Sequence, residues 1–510
     1  MELNQKKFTR RHDLSPVLRF MIAYTAWMSH QWGTITQLAK QYVISRAFVY
    51  ILLHDLENAI PVIFGEQIYH EKTITKTQSH QFILSLRLEG KCGIEAISTI
   101  MKRFGYPDSS VGYISQILNH FGSLLDNTLK TSEDAVQLVI FASDEIFSKT
   151  QPILITIDPV SSAILRAELA DSRDAETWKH HWKRLYNNGY YALYLVSDEG
   201  TGMKSAKKEV LEDVMYQPDT FHAISHQLGE WLNRLEQAAY KAIQDVYDRY
   251  DKLDSAVSDR VINKRIDEYT SAEQKAATAI ERYDEFHEYY LFLIKQLNVF
   301  DDNGNLRDRT EAESNIKLAL DLIMTLGNNS MNKTIKKITN ILPNLLTYFN
   351  RAVTIVKELQ QIGISEDLLK EFCICWQYQK NMIKAKHQQR KNYYKDKLTR
   401  QIIKIKQTLG DDYPAVADIV LAKLDGIVQS SALVETINSI VRSYLNTTRN
   451  HISQNLLNLI MFYHNHRRYL AGKRKNKSPL EILTGQEQQK DWIQLLFDEM
   501  ELKVSNFSYV

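Results

Sequence analysis

Residues 136–147 constrain this chain most, because they join an apolar run to two acidic residues. Their sequence, VQLVIFASDEIF, has the β-branched and aromatic composition of a buried strand. The run turns acidic at Asp144 and Glu145. An acidic residue near the end of a strand is either a solvated loop residue or part of a site. We therefore expect a buried strand here, with Asp144 as the candidate site residue and Glu145 as its rival.

A second apolar run, residues 190–196, ends in the same way at Asp198 and Glu199. Either carboxylate is a candidate, and we favour Asp198. A Gly-Thr-Gly sequence follows at residues 200–202. Glycines allow a ligand to approach the backbone closely, although the same sequence also suits a plain turn. The chain therefore carries two strand-like segments that each deliver a carboxylate.

Further elements surround these two runs. Residues 152–157 and 164–169 have strand composition and are separated by turn residues. A helix then begins at Asp171 or Ser172 and ends before the Asn-Asn-Gly sequence that precedes the second run. The predicted order is three strands, a helix and a fourth strand. A fifth strand is predicted around His222, where the imidazole either packs in the sheet or contacts a substrate.

Composition limits the kind of protein. A chain of 510 residues is too long for a single core, and its 44% hydrophobic and 24% charged residues are typical of globular domains. The net charge is only +2, so any contact with nucleic acid must come from local basic patches. No uninterrupted apolar run reaches the ~20 residues of a membrane span. We expect a cytoplasmic protein without a membrane partner, and we expect its three cysteines to be buried thiols rather than zinc ligands.

The first 130 residues read as helical. Residues 34–42 and 45–56 form two short helices around a brief joint, with Ser45 placed to cap the second helix. This is the helix-turn-helix pattern, and Arg46 and Tyr50 would lie near the front of the helix that enters a major groove. We expect Ala47, Phe48, Ile51 and Leu52 to form its packing face. The alternative is an ordinary helical hairpin.

A second copy of this pattern follows. Residues 93–104 are amphipathic, and residues 109–121 restart as a helix behind Asp108 or Ser109. Lys102 and Arg103 end the earlier helix, where they either contact phosphate or simply suit the helix dipole.

The character changes after residue 228. Long stretches lack proline and glycine and place apolar residues at three- and four-residue steps, which predicts helices up to about residue 425. Within them, residues 384–406 are densely basic and include Lys384, Arg390 and Lys391. This stretch either follows a DNA backbone by neutralising phosphates or is a solvated helix face.

A third carboxylate, Glu435, lies in the helical stretch that follows. Helical spacing places Ser431, Glu435, Asn438, Arg442 and Arg449 on one polar stripe. A carboxylate and an arginine on the same face can hold a cation and a phosphate together. The alternative is an ordinary surface stripe.

The end of the chain supplies the most specific pattern. Tyr463, Asn465 and Arg467 form a Tyr-x-Asn-x-Arg segment, and residues 478–485 read SPLEILTG. With Asp144 and Asp198 after strands and Glu435 in a helix, the chain resembles the DDE transposases and integrases, of the bacterial insertion-sequence type with a helical insertion.

The resemblance implies a ribonuclease H-like core in which Asp144, Asp198 and Glu435 are catalytic and hold two ions, Mg²⁺ or Mn²⁺. It implies a transposase that binds the double-stranded ends of its mobile element, cuts them and transfers them to target DNA, as a homodimer or higher oligomer. Arg442 and Arg449 would contact that DNA. The alternative is an inactive, transposase-derived DNA-binding regulator, which the intact acidic triad disfavours.

The expected fold class is therefore multidomain α+β. We expect a helical DNA-binding region with two helix-turn-helix units at 1–130 and the two parts of the core at 131–227 and 426–486. A helical insertion at 228–425 separates the two parts, and a tail follows at 487–510.

Overall fold

A computed structural model describes residues 13–29, 31–64, 74–131, 135–198, 200–327, 329–385 and 387–507. Glu199, one of the two candidates after the second apolar run, lies outside the described residues. The chain divides into two structural units, Met1–Lys76 and Thr77–Val510. The expected N-terminal region of 1–130 is therefore divided between them.

Among its described residues, the first unit has the helices α1 (Pro16–Met28), α2 (Thr34–Gln41) and α3 (Arg46–Phe64). Ser45 accepts a hydrogen bond from the Phe48 amide at 3.1 Å, which confirms the predicted cap of α3. The predicted packing face is confirmed for Phe48 and Leu52, which pack in the core of this unit, and wrong for Ala47 and Ile51, which are exposed. By length and composition alone, α3 is long and apolar enough to cross a membrane.

The second unit begins with α4 (Lys76–Leu88), α5 (Ile94–Arg103) and α6 (Val111–Ser123). The cap of α6 is Ser110, which accepts the Tyr113 amide at 3.1 Å, and not Asp108 or Ser109 as predicted. Apolar residues of all three helices, among them Ile83, Ile97 and Ile114, share one core with residues of the sheet. The second predicted helix-turn-helix unit is thus packed into the sheet-containing unit.

A five-stranded mixed sheet organises the second unit. Its strands are β1 (Gln137–Ser148), β2 (Gln151–Ile157), β3 (Ile164–Leu169), β4 (Tyr190–Ser197) and β5 (Met215–Pro218). The spatial order is β3-β2-β1-β4-β5, with β1–β2 and β2–β3 antiparallel and β1–β4 and β4–β5 parallel. The first four strands agree closely with the sequence prediction. The fifth strand ends at Pro218, so the predicted strand around His222 is wrong.

Both faces of the sheet are covered, which explains why β1 reads as a continuous apolar run. On one face, α7 (Ala175–Asn187) packs Trp178 and Trp182 against Phe141. Between β4 and β5, α8 (Thr201–Val210) contributes Met203 to the same core. Asp174 caps α7 by accepting the Thr177 amide, so the predicted start at Asp171 or Ser172 is wrong.

In the described part of the chain, eight helices lie between β5 and the C-terminal part, where we predicted the insertion. They are α9 (Gln227–Asp254), α10 (Asp259–Gln296), α11 (Arg309–Leu326), α12 (Asn329–Leu345), α13 (Tyr348–Gln361), α14 (Glu366–Lys384), α15 (Gln388–Leu409) and α16 (Tyr413–Asp425). They share a large apolar core of their own. Pro343 lies inside α12, close to its end at Leu345.

The C-terminal part returns to the sheet with α17 (Ala432–Asn446), α18 (Gln454–His466), α19 (Pro479–Thr484) and α20 (Trp492–Phe507). The Tyr-x-Asn-x-Arg segment lies at the end of α18, where the Asn465 side chain pairs with both backbone groups of Ile164 at 2.8 and 2.9 Å. His464 is buried and donates from Nε2 to the Ser162 carbonyl at 2.9 Å. The segment therefore fastens α18 to the start of the edge strand β3.

Acidification is expected to weaken this attachment. Burial lowers the pKa of His464 to about 4. Its Nδ1, which would bind the second proton, has no hydrogen-bond partner among the described residues. The unfolded chain binds that proton near pH 6.5, so stability is lost as the pH falls below that value, at up to about 1.4 kcal/mol per pH unit. His464→Gln keeps a donor for Ser162 but does not titrate. Thermal unfolding at pH 7 and pH 5 should therefore show a smaller loss for the variant, and equal losses would contradict this assignment.

Candidate active site

Two strand ends bring three carboxylates together. Parallel pairing places Ser143 of β1 beside Ser197 of β4, so the next residues, Asp144 and Asp198, are neighbours. Ligand oxygens of Asp144, Glu145 and Asp198 all lie within 4.8 Å of one another. The predicted approach of the two aspartates is therefore confirmed as geometry, although β1 continues to Ser148 and Asp144 lies within the strand.

Asp144 is the most strongly perturbed of these groups. Burial raises its pKa to about 7, and the charges of Asp198, Glu145 and Glu435 add to the shift. The side-chain amide of Asn438, on α17, donates to Asp144 Oδ2 at 2.6 Å. A half-buried carboxylate among other carboxylates favours either a proton or a bound cation.

Glu145 has a different environment. Its Oε1 pairs with Arg173 Nη1 at 2.7 Å, and its side chain is 9% exposed. Its Oε2 is buried and has no hydrogen-bond partner among the residues that the structure describes. Burial raises the pKa of Glu145, and the hydrogen bond from Arg173 partly offsets this shift. One of its oxygens is therefore free to bind a further group.

Glu435 lies in the first turn of α17, close enough to Asp144 to influence its pKa, but it is not one of the three carboxylates within 4.8 Å. Its Oε1 is 2.5 Å from Nε2 of His222. His222 belongs to a π-helical segment, Phe221–His226, that leads into α9. The helix that carries Glu435 is thus positioned beside the cluster, and Glu435 itself contacts an imidazole.

Hydrogen bonds join the chain before the insertion to the chain after it. The Tyr194 hydroxyl donates to the Val428 carbonyl at 3.2 Å and accepts from the Val428 amide at 3.1 Å. Gln217, in β5, donates to the same carbonyl at 3.0 Å. These contacts return the chain to the sheet immediately before α17.

Two open cavities flank the cluster. One, of about 350 Å³, is lined by Asp198, Asp219, His222 and Lys337. The other, of about 580 Å³, is lined by Glu145, Arg173, Trp178 and Thr201. The acidic cluster is therefore accessible from two sides, and both cavities offer polar groups.

The predicted DNA-contacting residues are distributed over several elements. Arg46, Lys102, Arg103 and Arg442 are exposed, and Tyr50 is 58% exposed. The stripe that we predicted through Arg449 is wrong, because α17 ends at Asn446. Arg449 lies in the following turn, with a left-handed φ of 54°.

The basic stretch at 384–406 is also divided. Lys384 is the last residue of α14 and donates to Gln429 Oε1 at 3.3 Å. Arg390 and Lys391 lie on a different helix, α15, where Arg390 is 6.0 Å from the centre of the Tyr394 ring. Only the residues of α15 can form a continuous basic helix face.

Sequence reasoning missed several residues around the cluster. Arg173 and Asp219 were not singled out, and His222 was placed in a strand. Asn438 was placed on the polar stripe with no partner assigned. The role of each of these residues depends on a contact with a residue that is distant in the chain. One signal was visible in the sequence: the spacing of Asn438 from Glu435 places the two on adjacent turns of one helix.

Comparison with known proteins identifies the domain that carries this cluster. Residues 143–355 match a family model of DDE transposases of the ISL3 type, whose description is transposase. No curated protein matches the chain. Among solved structures, the Drosophila P element transposase strand transfer complex aligns over 87% of this chain and 98% of that chain, with 14% identity and a TM-score of 0.26, which is too low to equate the folds. The part of the chain that carries Asp144, Glu145 and Asp198 is therefore similar to DDE transposases.

Proposed function

We propose that this transposase binds the ends of its own mobile element and performs metal-dependent strand cleavage and strand transfer. The observation that carries the proposal is the approach of Asp144 and Asp198 on neighbouring strands, with the helix of Glu435 alongside. The family match ends at residue 355, so the assignment of Glu435, on the C-terminal helix α17, goes beyond that match.

The strand order supports a ribonuclease H-like core. Three antiparallel strands, a crossover helix and two parallel strands give the order that the resemblance predicts. In this proposal the core is interrupted by α9–α16 and resumes at α17. Insertions are tolerated where their two ends lie close together, and the contacts of Val428 with Tyr194 and Gln217 meet that condition.

The donor set fits two Mg²⁺ or Mn²⁺ ions. All the available ligand atoms of the cluster are carboxylate oxygens, which hard cations prefer. The raised pKa of Asp144, whose charged neighbours are all acidic, indicates charge that protein groups leave uncompensated. We assign Asp144, Asp198 and Glu435 as the ligands, with Glu145 as the rival third carboxylate. When bound, the ions supply charge stabilisation at the attacking and leaving oxygens of an in-line phosphoryl transfer.

The protein's own groups orient this site. Asn438 holds one oxygen of Asp144 through a hydrogen bond. We propose that Arg442, exposed on α17 one turn beyond Asn438, binds a DNA phosphate beside the carboxylates.

DNA recognition is assigned to basic surfaces outside the cluster. Arg46 and Tyr50 on α3, and Lys102 and Arg103 on α5, are exposed and belong to the two proposed helix-turn-helix units. Arg390 and Lys391 on α15, with Lys384 and Arg449, extend the proposed contact surface. We further propose that a homodimer or higher oligomer assembles on DNA in a bacterial cytoplasm.

The first test removes a carboxylate without changing its shape. Asp144→Asn or Asp198→Asn should lower cleavage of DNA segments that flank the gene by about a thousandfold or more, because charge stabilisation of several kcal/mol is lost. DNA affinity should remain within about twofold. The measurement is single-turnover cleavage of labelled duplexes with Mg²⁺ or Mn²⁺. Wild-type cleavage by either variant would refute the assignment, and binding without cleavage by the wild type would favour the inactive regulator.

A second test uses stability without metal. The folded chain holds a proton on Asp144 up to a pH of about 7, whereas the unfolded chain releases it near pH 4, so ionisation of Asp144 destabilises the fold as the pH rises. Asp144→Asn should therefore raise the free energy of unfolding at pH 8 in chelator by about 2 kcal/mol and by less at pH 5. Mn²⁺ should raise the melting temperature of the wild type more than that of the variant. A variant that is less stable at pH 8 would contradict this.

A third test separates the two candidates for the third ligand. Glu435→Gln and Glu145→Gln make the same chemical change on opposite sides of Asp144. We expect Glu435→Gln to reduce the cleavage rate by about a thousandfold. Glu145→Gln should reduce it by about tenfold or less, because Arg173 already neutralises Glu145. The opposite ranking would transfer the assignment to Glu145.

A fourth test concerns DNA recognition by the full chain. Arg46→Ala with Tyr50→Ala should remove discrimination between element ends and unrelated duplexes, since these residues are proposed to contact base edges. Lys102→Ala with Arg103→Ala should weaken the binding of both duplexes alike. The dependence of affinity on salt concentration should fall by the equivalent of about one to two phosphate contacts. Fluorescence anisotropy over a range of salt concentrations measures both effects. If the variant with Arg46→Ala and Tyr50→Ala still discriminated between element ends and unrelated duplexes, α3 would have no recognition role.

A further inference from the structure

One buried carboxylate outside the cluster holds together the two sides of the insertion. Asp219 is 3% exposed and follows β5 directly. Its Oδ2 accepts hydrogen bonds from the backbone amide of Ser431 at 2.7 Å and from the Ser431 hydroxyl at 2.5 Å. Its Oδ1 accepts from the His222 amide at 2.9 Å. A buried carboxylate is costly unless donors surround it, and two of these three donors belong to Ser431, which lies 212 residues away from Asp219 in the chain.

Both partners of Asp219 lead to Glu435. Ser431 occupies the N-cap position of α17, with its hydroxyl bound to Asp219 rather than to the helix, and Glu435 lies one turn further along that helix. His222 contacts Glu435 Oε1 through its imidazole at 2.5 Å. Asp219 therefore fixes the start of the helix that carries Glu435 and also the backbone of the residue that holds the Glu435 carboxylate.

We propose that Asp219 is a positioning residue that places Glu435 beside Asp144 and Asp198 across the helical insertion. The inference rests on the proposed function of Glu435 as a metal ligand. Asp219 acts through His222 and Ser431 and does not itself touch the reacting groups. Groups that orient metal ligands typically affect metal affinity by about 10- to 100-fold when they are removed.

The test is a double-mutant cycle on the full chain with Mn²⁺ alone as the probe, so that no DNA substrate is needed. Mn²⁺ affinity is measured from the paramagnetic resonance signal of the free ion for the wild type, Asp219→Asn, Glu435→Gln and the double variant. We expect Asp219→Asn to weaken Mn²⁺ binding about tenfold. In the Glu435→Gln background the same change should have less than about a twofold effect, because the ligand that Asp219 positions is already lost.

A matched control separates positioning from general loss of stability. Asp158 is also 3% exposed and accepts from both the amide and the hydroxyl of Ser161, at 2.8 and 2.6 Å, but no described contact connects it to α17. Asp158→Asn should lower the melting temperature and leave Mn²⁺ affinity unchanged. If Asp219→Asn does not fold, Ser431→Ala removes only the hydroxyl donor and should give a smaller loss with the same dependence on Glu435.

The outcomes are distinguishable. Effects of Asp219→Asn and Glu435→Gln that add independently, or an Asp219→Asn variant with wild-type affinity, would overturn the positioning role while the proposed function stands. An unchanged affinity in Glu435→Gln would also overturn it, since nothing would then be positioned. An unchanged affinity in Asp144→Asn would instead count against the proposed metal site itself.

Discussion

The parallel pairing of β1 with β4 is the constraint on which the site depends. It brings Asp144 and Asp198 together beside the apolar core, and like charges at that separation oppose folding unless something compensates them. The rest of the second unit supplies partial compensation, through Asn438 on one side and Arg173 on the other. A carboxylate whose pKa is raised by burial and by neighbouring acidic charges is typical of functional sites.

The insertion raises a geometric problem that the polar contacts solve. The entropy of closing a flexible loop grows only slowly with its length, so an insertion of this size is tolerable if its ends are held. Here the ends are held by hydrogen bonds from Tyr194 and Gln217 to Val428, and the insertion has an apolar core of its own. The sheet and α17 can therefore form one site although α9–α16 separate them in the chain.

Much of the fold was predictable, and the errors share a cause. Strands with continuous apolar composition and helices with three- and four-residue periodicity depend on local pattern, so β1 to β4 and the insertion helices were found within a few residues. The caps at Asp174 and Ser110 were missed because several neighbouring residues have the same capping chemistry. The π-helical segment at His222 and the end of α17 before Arg449 depend on contacts between distant segments. The partners of the carboxylates, Arg173 and Asp219, depend on such contacts too.

The alternation of strand side chains explains how two adjacent carboxylates acquire different roles. Asp144 lies on the face of β1 covered by α17, and Glu145 lies on the face covered by α7. Arg173 neutralises Glu145, whereas the charges that shift the pKa of Asp144 are all acidic. Asp144 is therefore less well compensated by protein groups than Glu145. We expect a cation that binds Asp144 and Asp198 to lie on the side of the sheet that α17 covers. Glu435 is on that helix, so the third ligand is expected there rather than at Glu145.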